Sequence, residues 1–273
     1  MTLPRCCTGA GRRRVPDETA GAVTLGIDLA AQPAGTAACR LRWGATSAEA
    51  LTLAQDLDDE ALTALRHEAD IVAIDAPFAW PEGLSSALAM WSEQRRWPHI
   101  APQQLRYRVT DLEVQRQTGI WPLSASADRI GVCAWRCAKL LSAWGVRDLA
   151  GGDGVVEAYP AAALRCWGLT SRGYKARSPR AGDRAGAARR QIIAALQQAC
   201  PWLQLTSAQW TACQESHDVL DAVICALVAG AVSIGAVRSP TEAQAGAAER
   251  EGWITLPTPD SLDRLARCRR SAD

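Results

Sequence analysis

The first eighty residues alternate short apolar runs with polar breaks. Val23 to Ile27 is one such run and ends at Asp28; Thr36 to Trp43 and Ala50 to Gln55 follow, and together they predict an antiparallel meander of three strands. Asp58 to Glu68 has the helical period, with Asp58 at the start and Leu62 and Leu65 on one face. Ile71 to Ile74 is strand-like again, ends at Asp75 and is stopped by Pro77. The predicted order is β-β-β-α-β.

From Trp80 to Leu149 the pattern turns helical, including Ile130 to Trp144, with irregular stretches rich in Trp, Arg and Pro, so residues 80–150 read as a helical insertion beside the sheet. Gly151-Gly152-Asp153-Gly154 reads as a turn rather than a phosphate cradle, because no GxxxxGK[ST] or GxGxxG pattern accompanies it. A fifth strand, Val155 to Tyr159, follows and is closed by Pro160. Gly168 to Gly186 predicts a basic loop, Ala187 to Cys200 a helix with Ile192, Ile193 and Leu196 inward, and His217 to Ala229 a helix apolar almost all round. The most apolar run, Ala222 to Val237, is broken by Gly230 and Gly235 and is too short to span a bilayer, so no membrane partner is expected. Residues 1–22 have no apolar h-region and read as a disordered tail, 23–257 as one domain, and 258–273 as a basic tail.

Composition narrows the picture. The 273 residues are 48% hydrophobic, which excludes disorder throughout, and the net charge of +1 leaves any case for a nucleic-acid partner to local clusters. Only Lys139 and Lys175 are lysines; the other basic residues are arginines. The ten cysteines include no CxxC pair, which fits neither a disulfide scaffold nor a zinc site, so reduced thiols in a cytoplasmic protein are expected.

The acids carry the chemistry. Asp28 and Asp75 each end an apolar run in the similar settings Gly26-Ile27-Asp28 and Ala73-Ile74-Asp75, and an unpaired carboxylate near a core costs several kcal/mol. Asp218 and Asp221 share a face of the most apolar helix, where like charges repel unless a cation lies between them; a cap role would suit Asp218 but not Asp221. On adjacent strands, Asp28 and Asp75 come within about 5 Å, and a helix across the strand ends adds further oxygens. That is a site for a hard cation, Mg²⁺ or Mn²⁺, and two such ions about 4 Å apart serve phosphodiester hydrolysis. Glu157, at the third strand end, is a further candidate.

These residues carry a resemblance. The element order, the strand-end acids and the Asp218-x-x-Asp221-Ala222 helix are similar to the ribonuclease H-like fold, and Val155 to Pro160 followed by Lys175 is similar to RuvC-type junction resolvases. Gly26-Ile27-Asp28, Ile74-Asp75-Ala76-Pro77, Glu157-Ala158-Tyr159-Pro160, Tyr174-Lys175, Asp221-Ala222 and Glu251-Gly252-Trp253-Ile254 together resemble domain of unknown function 429, an uncharacterised family regarded as predicted nucleases on fold grounds. The resemblance runs from about Val23 to Pro257. It implies an α/β fold: a ribonuclease H-like mixed five-stranded sheet with helices on both faces and a helical insertion between strands 4 and 5. It implies a metal-dependent nuclease whose four-carboxylate set falls on Asp28, Asp75, Asp218 and Asp221, with Lys175 beside the site and Trp253 lining it.

Eight basic residues between Arg165 and Arg190 face one acid, Asp183, and with Trp167 and Tyr174 interleaved they suit a DNA or RNA strand as well as they suit a solvated loop. Arg106, Arg108 and Asp111 suit an intradomain ion-pair cluster or a substrate clamp through Arg108. Two other functions fit the same topology. One is an actin-like ATPase or phosphotransferase, for which Gly35-Thr36 is a poor phosphate loop; the other is a non-catalytic nucleic-acid-binding module.

Overall fold

The computed structural model describes residues 21–175 and 182–270. In chain order they form β1 (Val23–Asp28), β2 (Ala37–Trp43), β3 (Ala48–Gln55), α1 (Asp59–His67), β4 (Ile71–Asp75), α2 (Glu82–Gln94), α3 (Pro102–Arg106), α4 (Val109–Thr118), α5 (Gly131–Ala143), β5 (Val155–Glu157), α6 (Pro160–Cys166), α7 (Gly182–Ala199), β6 (Leu203–Gln204), α8 (Ser207–Glu215), α9 (His217–Ser233), β7 (Val237–Arg238), α10 (Glu242–Glu251), β8 (Leu256–Pro257) and α11 (Ser261–Arg270). The fold is α/β around a mixed sheet in the order β5-β4-β1-β2-β3-β6. β1 to β3 are the antiparallel meander, β4 and β5 extend it parallel to β1, and β6 lies parallel to β3. The sheet therefore has six strands where five were expected; β6 is two residues long, too short for any period to reveal.

Strand alternation divides the core in two. Leu25, Ile27, Val72, Ile74 and Val155 face one side, where α5 covers them with Cys133, Cys137, Leu140 and Leu141, and α1 adds Leu62. Thr24, Gly26 and Asp28 of β1, with Ala73 and Asp75 of β4, face the other side, under α9. This helix is apolar all round because the sheet lies on one flank and α6, α8 and α11 on the other. Its approach depends on Gly26: a Cβ there would stand 2.1 Å from both Ala222 O and Ala226 N. Gly230 likewise admits the Trp43 ring, which a Cβ would meet at 2.3 Å. The helix runs straight through Gly230, which is a packing position and not the expected break.

The boundaries also move. Gly21 N donates to Trp43 O at 2.6 Å and Trp43 N to Ala22 O at 2.8 Å, so residues 21–22 already belong to the sheet; residues 1–20 of the expected tail lie outside the described residues. The expected C-terminal tail contains α11, whose Leu262 and Leu265 are buried in the core. Of the expected loop 168–186, residues 176–181 lie outside the described residues and α7 begins at Gly182. Among the described residues no single helix is long and apolar enough to cross a membrane.

Candidate metal centre

Asp28 and Asp75 are direct partners in the parallel β1–β4 pair, so their side chains leave the same face at the same level. The close packing of α9 on Gly26 brings Asp221, one residue before Ala222, over those strand ends. One carboxylate oxygen from each of Asp28, Asp75 and Asp221 lies within 4.8 Å of the other two. Asp221 is fully buried, and the other two are half-buried.

Two neighbours hold the trio. Tyr174 donates its hydroxyl to Asp221 Oδ1 at 2.8 Å. Lys175 Nζ lies 3.3 Å from Asp75 Oδ2 and 2.7 Å from Asp221 Oδ2, an ion-pair contact whose angle leaves that buried oxygen without a hydrogen bond. Burial pushes the Asp28 carboxyl well above the ordinary range, and the charges of Asp221 and Asp75 push it further. Burial raises Asp75 against the opposing pull of Lys175. Asp221 is pushed up to about 6 by burial, with Lys175 opposing and Asp75 adding. For Lys175 burial works against the charge, but Asp221 and Asp75 outweigh it and hold the ammonium well above the usual lysine range. Three carboxylates against one ammonium form a donor set that fits a hard divalent cation.

The other expected residues divide. Asp218 lies outside the trio, with Oδ1 3.1 Å from His217 Nε2, but lines the same cleft, and its charge adds to the rise at Asp28. The helix is capped by Ser216, whose Oγ accepts from Val219 N, so Asp218 is not its cap. Glu157 pairs in register with Ile74, one residue before Asp75, and its side chain therefore leaves the opposite face of the sheet. Arg108 holds it with two bonds, at 2.7 and 2.8 Å, and also binds Asp111 at 2.9 Å, while Phe78 N donates to Glu157 at 3.1 Å. Arg108 and Glu157 both line the cleft, but Arg108 is 1% exposed and its guanidinium is spent on Glu157 and Asp111, so it is an internal ion-pair partner rather than a clamp presented to substrate. Arg106 pairs separately, with Asp128 at 3.4 Å.

Tyr174 is 1% exposed, which rules out base stacking on its ring. Trp253 is buried with Nε1 donating to Arg238 O, away from the cleft. Its motif is architectural: Glu251 accepts from Glu82 N and Val109 N, both at 2.7 Å, and so ties the starts of α2 and α4 together. In the basic stretch, Arg189 binds the Tyr174 and Gln214 carbonyls, whereas Arg177 and Arg180 lie outside the described residues.

Asp28 and Asp75 line a cleft of about 770 Å³ together with Asp218, His217, Lys175, Arg129, Arg172 and Tyr159, while Asp221 itself is fully buried. Sequence reasoning passed over Tyr159 although it stands in the Glu-Ala-Tyr-Pro motif; burial, then the Asp75 charge, push its phenol up to about 12. It also missed Arg136, which fixes the chain after Asp28 through Ala30 O at 2.9 Å and Leu57 O at 3.0 Å. An arginine on an amphipathic helix gives no sequence signal for that role. Gly35 N is engaged by Asp56 Oδ1 at 3.1 Å, and Thr36 Oγ1 donates to Gln32 O.

No curated protein and no solved structure matches the chain. The family model described as Protein of unknown function (DUF429) matches residues 26–245, a span that includes all three acids of the trio, Tyr174 and Lys175. The chain belongs to the DUF429 family.

Proposed function

We propose that this protein is a metal-dependent nuclease of the ribonuclease H-like superfamily, hydrolysing phosphodiesters in DNA or RNA with Mg²⁺ or Mn²⁺ held by Asp28, Asp75 and Asp221. The observation that carries this reading is the meeting of three carboxylate oxygens within 4.8 Å at the ends of two parallel strands and one buried helix. The strand order with β1 central, flanked by the meander and by parallel β4 and β5, supports the fold assignment. When bound, ions at such a site supply an activated water and stabilise the leaving oxygen. The chain's own groups do the rest. Asp28, Asp75 and Asp221 form the ligand set, with Asp218 at its margin. Tyr174 orients Asp221, and Lys175 is the cation nearest a phosphate arriving at the trio. Arg129 and Arg172 line the approach, where backbone charge needs them. Glu157 serves by keeping Arg108 and the strand end in place. A phosphotransferase reading is less well supported, since the Gly35 N–H that a phosphate loop would use is already donated to Asp56.

The test is hydrolysis of single-stranded, duplex and branched DNA and RNA in Mn²⁺ by the wild type and by Asp75→Asn. Cleavage by the wild type and loss in the variant is the expected result. Nucleic-acid binding with no turnover on any substrate would replace the nuclease with a non-catalytic binding module.

A further inference from the structure

Seven of the eleven tryptophans are buried or half-buried; the exposed four, Trp91, Trp97, Trp121 and Trp135, all lie in the 80–150 insertion, and Trp135 is the most open at 63%. Single exposed apolar residues need no explanation, but large rings concentrated in one segment beside a cleft do. Two of them stand next to residues that line the metal cleft or the groove beside it. That groove, of about 560 Å³, is left between α2 and α5, floored by Leu84, Leu88 and Val132 and walled by Trp80 and Trp135. Arg129 lines both this groove and the metal cleft, so the two adjoin at that residue. Trp121 stands in the chain between two cleft-lining residues, Ile120 and Pro122, and packs on Tyr107 at 4.6 Å, with the Arg106 guanidinium 5.1 Å from the Tyr107 ring.

Exposed rings with guanidinium groups beside them are what unpaired bases stack on while cations meet the backbone. A duplex keeps its base faces stacked inside itself and cannot use such rings. A partner helix could fill the aliphatic floor and pair an acid with Arg129, but it would have no use for the adjoining carboxylate cleft. We infer that the α2–α5 groove and the Trp121 platform take the unpaired bases of a single strand whose phosphodiester lies at the carboxylate trio. This rests on the nuclease reading and deepens it: the substrate class is single-stranded DNA or RNA, including an unpaired flank of a duplex.

The test measures fluorescence anisotropy of a labelled oligothymidylate of about 12 nucleotides, a length within the usual single-strand site sizes, against a blunt duplex of equal length, in EDTA so that no turnover intervenes. The full chain is expected to prefer the single strand. Trp135→Ala and Trp121→Ala are each expected to weaken that binding roughly 5- to 150-fold, with Trp135→Phe keeping most of it. Trp135 packs in no core, so thermal melts of its two variants are expected to match the wild type, and that pair decides the matter even if Trp121→Ala disturbs Tyr107. Equal or tighter duplex binding, or alanine variants that bind the single strand as well as the wild type, would overturn the inference. So would wild-type dimers in sedimentation that Trp135→Ala dissolves, since the groove would then be a contact between copies. Failure of the nuclease reading itself shows separately, as a wild type that binds no Mn²⁺ and cleaves nothing.

Discussion

Lys175 Nζ stands 2.7 Å from Asp221 Oδ2 and 3.3 Å from Asp75 Oδ2, so the chain's own ammonium occupies the space between two of the three carboxylates. A divalent cation bound at the trio would compete for the same oxygens. Lys175→Met leaves those acids without their counter-charge; because the lysine side chain is 38% exposed, the loss is set at about 1–3 kcal/mol, below that of a fully buried pair. The metal-free variant is expected to melt about 2–8 °C lower, and Mn²⁺ is expected to raise its melting temperature more than that of the wild type. Equal Mn²⁺ increments in the two proteins would show that the ammonium and the metal do not compete.

Tyr174→Phe removes only the hydroxyl that donates to Asp221 Oδ1. Groups that orient a ligand typically contribute 10- to 100-fold in affinity, so Mn²⁺ binding in calorimetry is expected to weaken by about 10-fold while the far-ultraviolet spectrum stays unchanged. Unaltered affinity would make this contact a core hydrogen bond with no part in the site.

Gly26→Ala places a methyl group 2.1 Å from the α9 backbone at Ala222 and Ala226. Neither element can give way without moving Asp221 from the strand ends. The variant is expected to lose about 3 kcal/mol or more in urea denaturation, or to accumulate unfolded. A stability near that of the wild type would mean that the helix does not sit this close to the sheet.

The pH dependence follows from Asp221, whose carboxyl is pushed up to about 6 by burial, with Lys175 opposing and Asp75 adding. The folded value exceeds the ordinary unfolded value of about 3.9, so between the two the folded state holds the proton and stability falls as pH rises, levelling off above about 6. The contribution lost is on the order of 3 kcal/mol. Asp221→Asn cannot titrate there. The metal-free wild type is therefore expected to lose stability relative to that variant between about pH 4 and pH 6, as read by urea denaturation. Mn²⁺ needs the ionised carboxylate, so its stabilisation of the wild type is expected to grow over the same interval. A wild-type-minus-variant difference that stays flat with pH would contradict the buried titration.

Much of the site was legible because acids in apolar settings announce themselves. Asp28 and Asp75 ended strand-length runs, and Asp221 sat on a helix with no polar face. Glu157 had the same look, yet a register offset of one residue, opposite Ile74, turns its side chain to the other face and onto Arg108, and register between distant strands is not written in either strand alone. The ion pair of Arg108 and Asp111, three residues apart, was one of two readings open to the sequence, whereas the other partners of Arg108, Glu157 of β5 and the Glu251 carbonyl, come from distant segments that no local pattern joins. Tyr174 looked like a stacking ring because a tyrosine beside a lysine in a basic stretch has that composition; only the fold turns its hydroxyl to Asp221. Leu262 and Leu265, two apolar residues among charges, were too sparse to separate a packed helix from a tail.

The most direct test of the metal centre is calorimetric titration of Mn²⁺ into the wild type, Asp28→Asn and Asp221→Asn at neutral pH, with and without an oligonucleotide. Saturable binding by the wild type and its loss in both variants is the expected result. Absence of binding in the wild type even with nucleic acid present, or undiminished binding in both variants, would contradict a metal site at Asp28, Asp75 and Asp221.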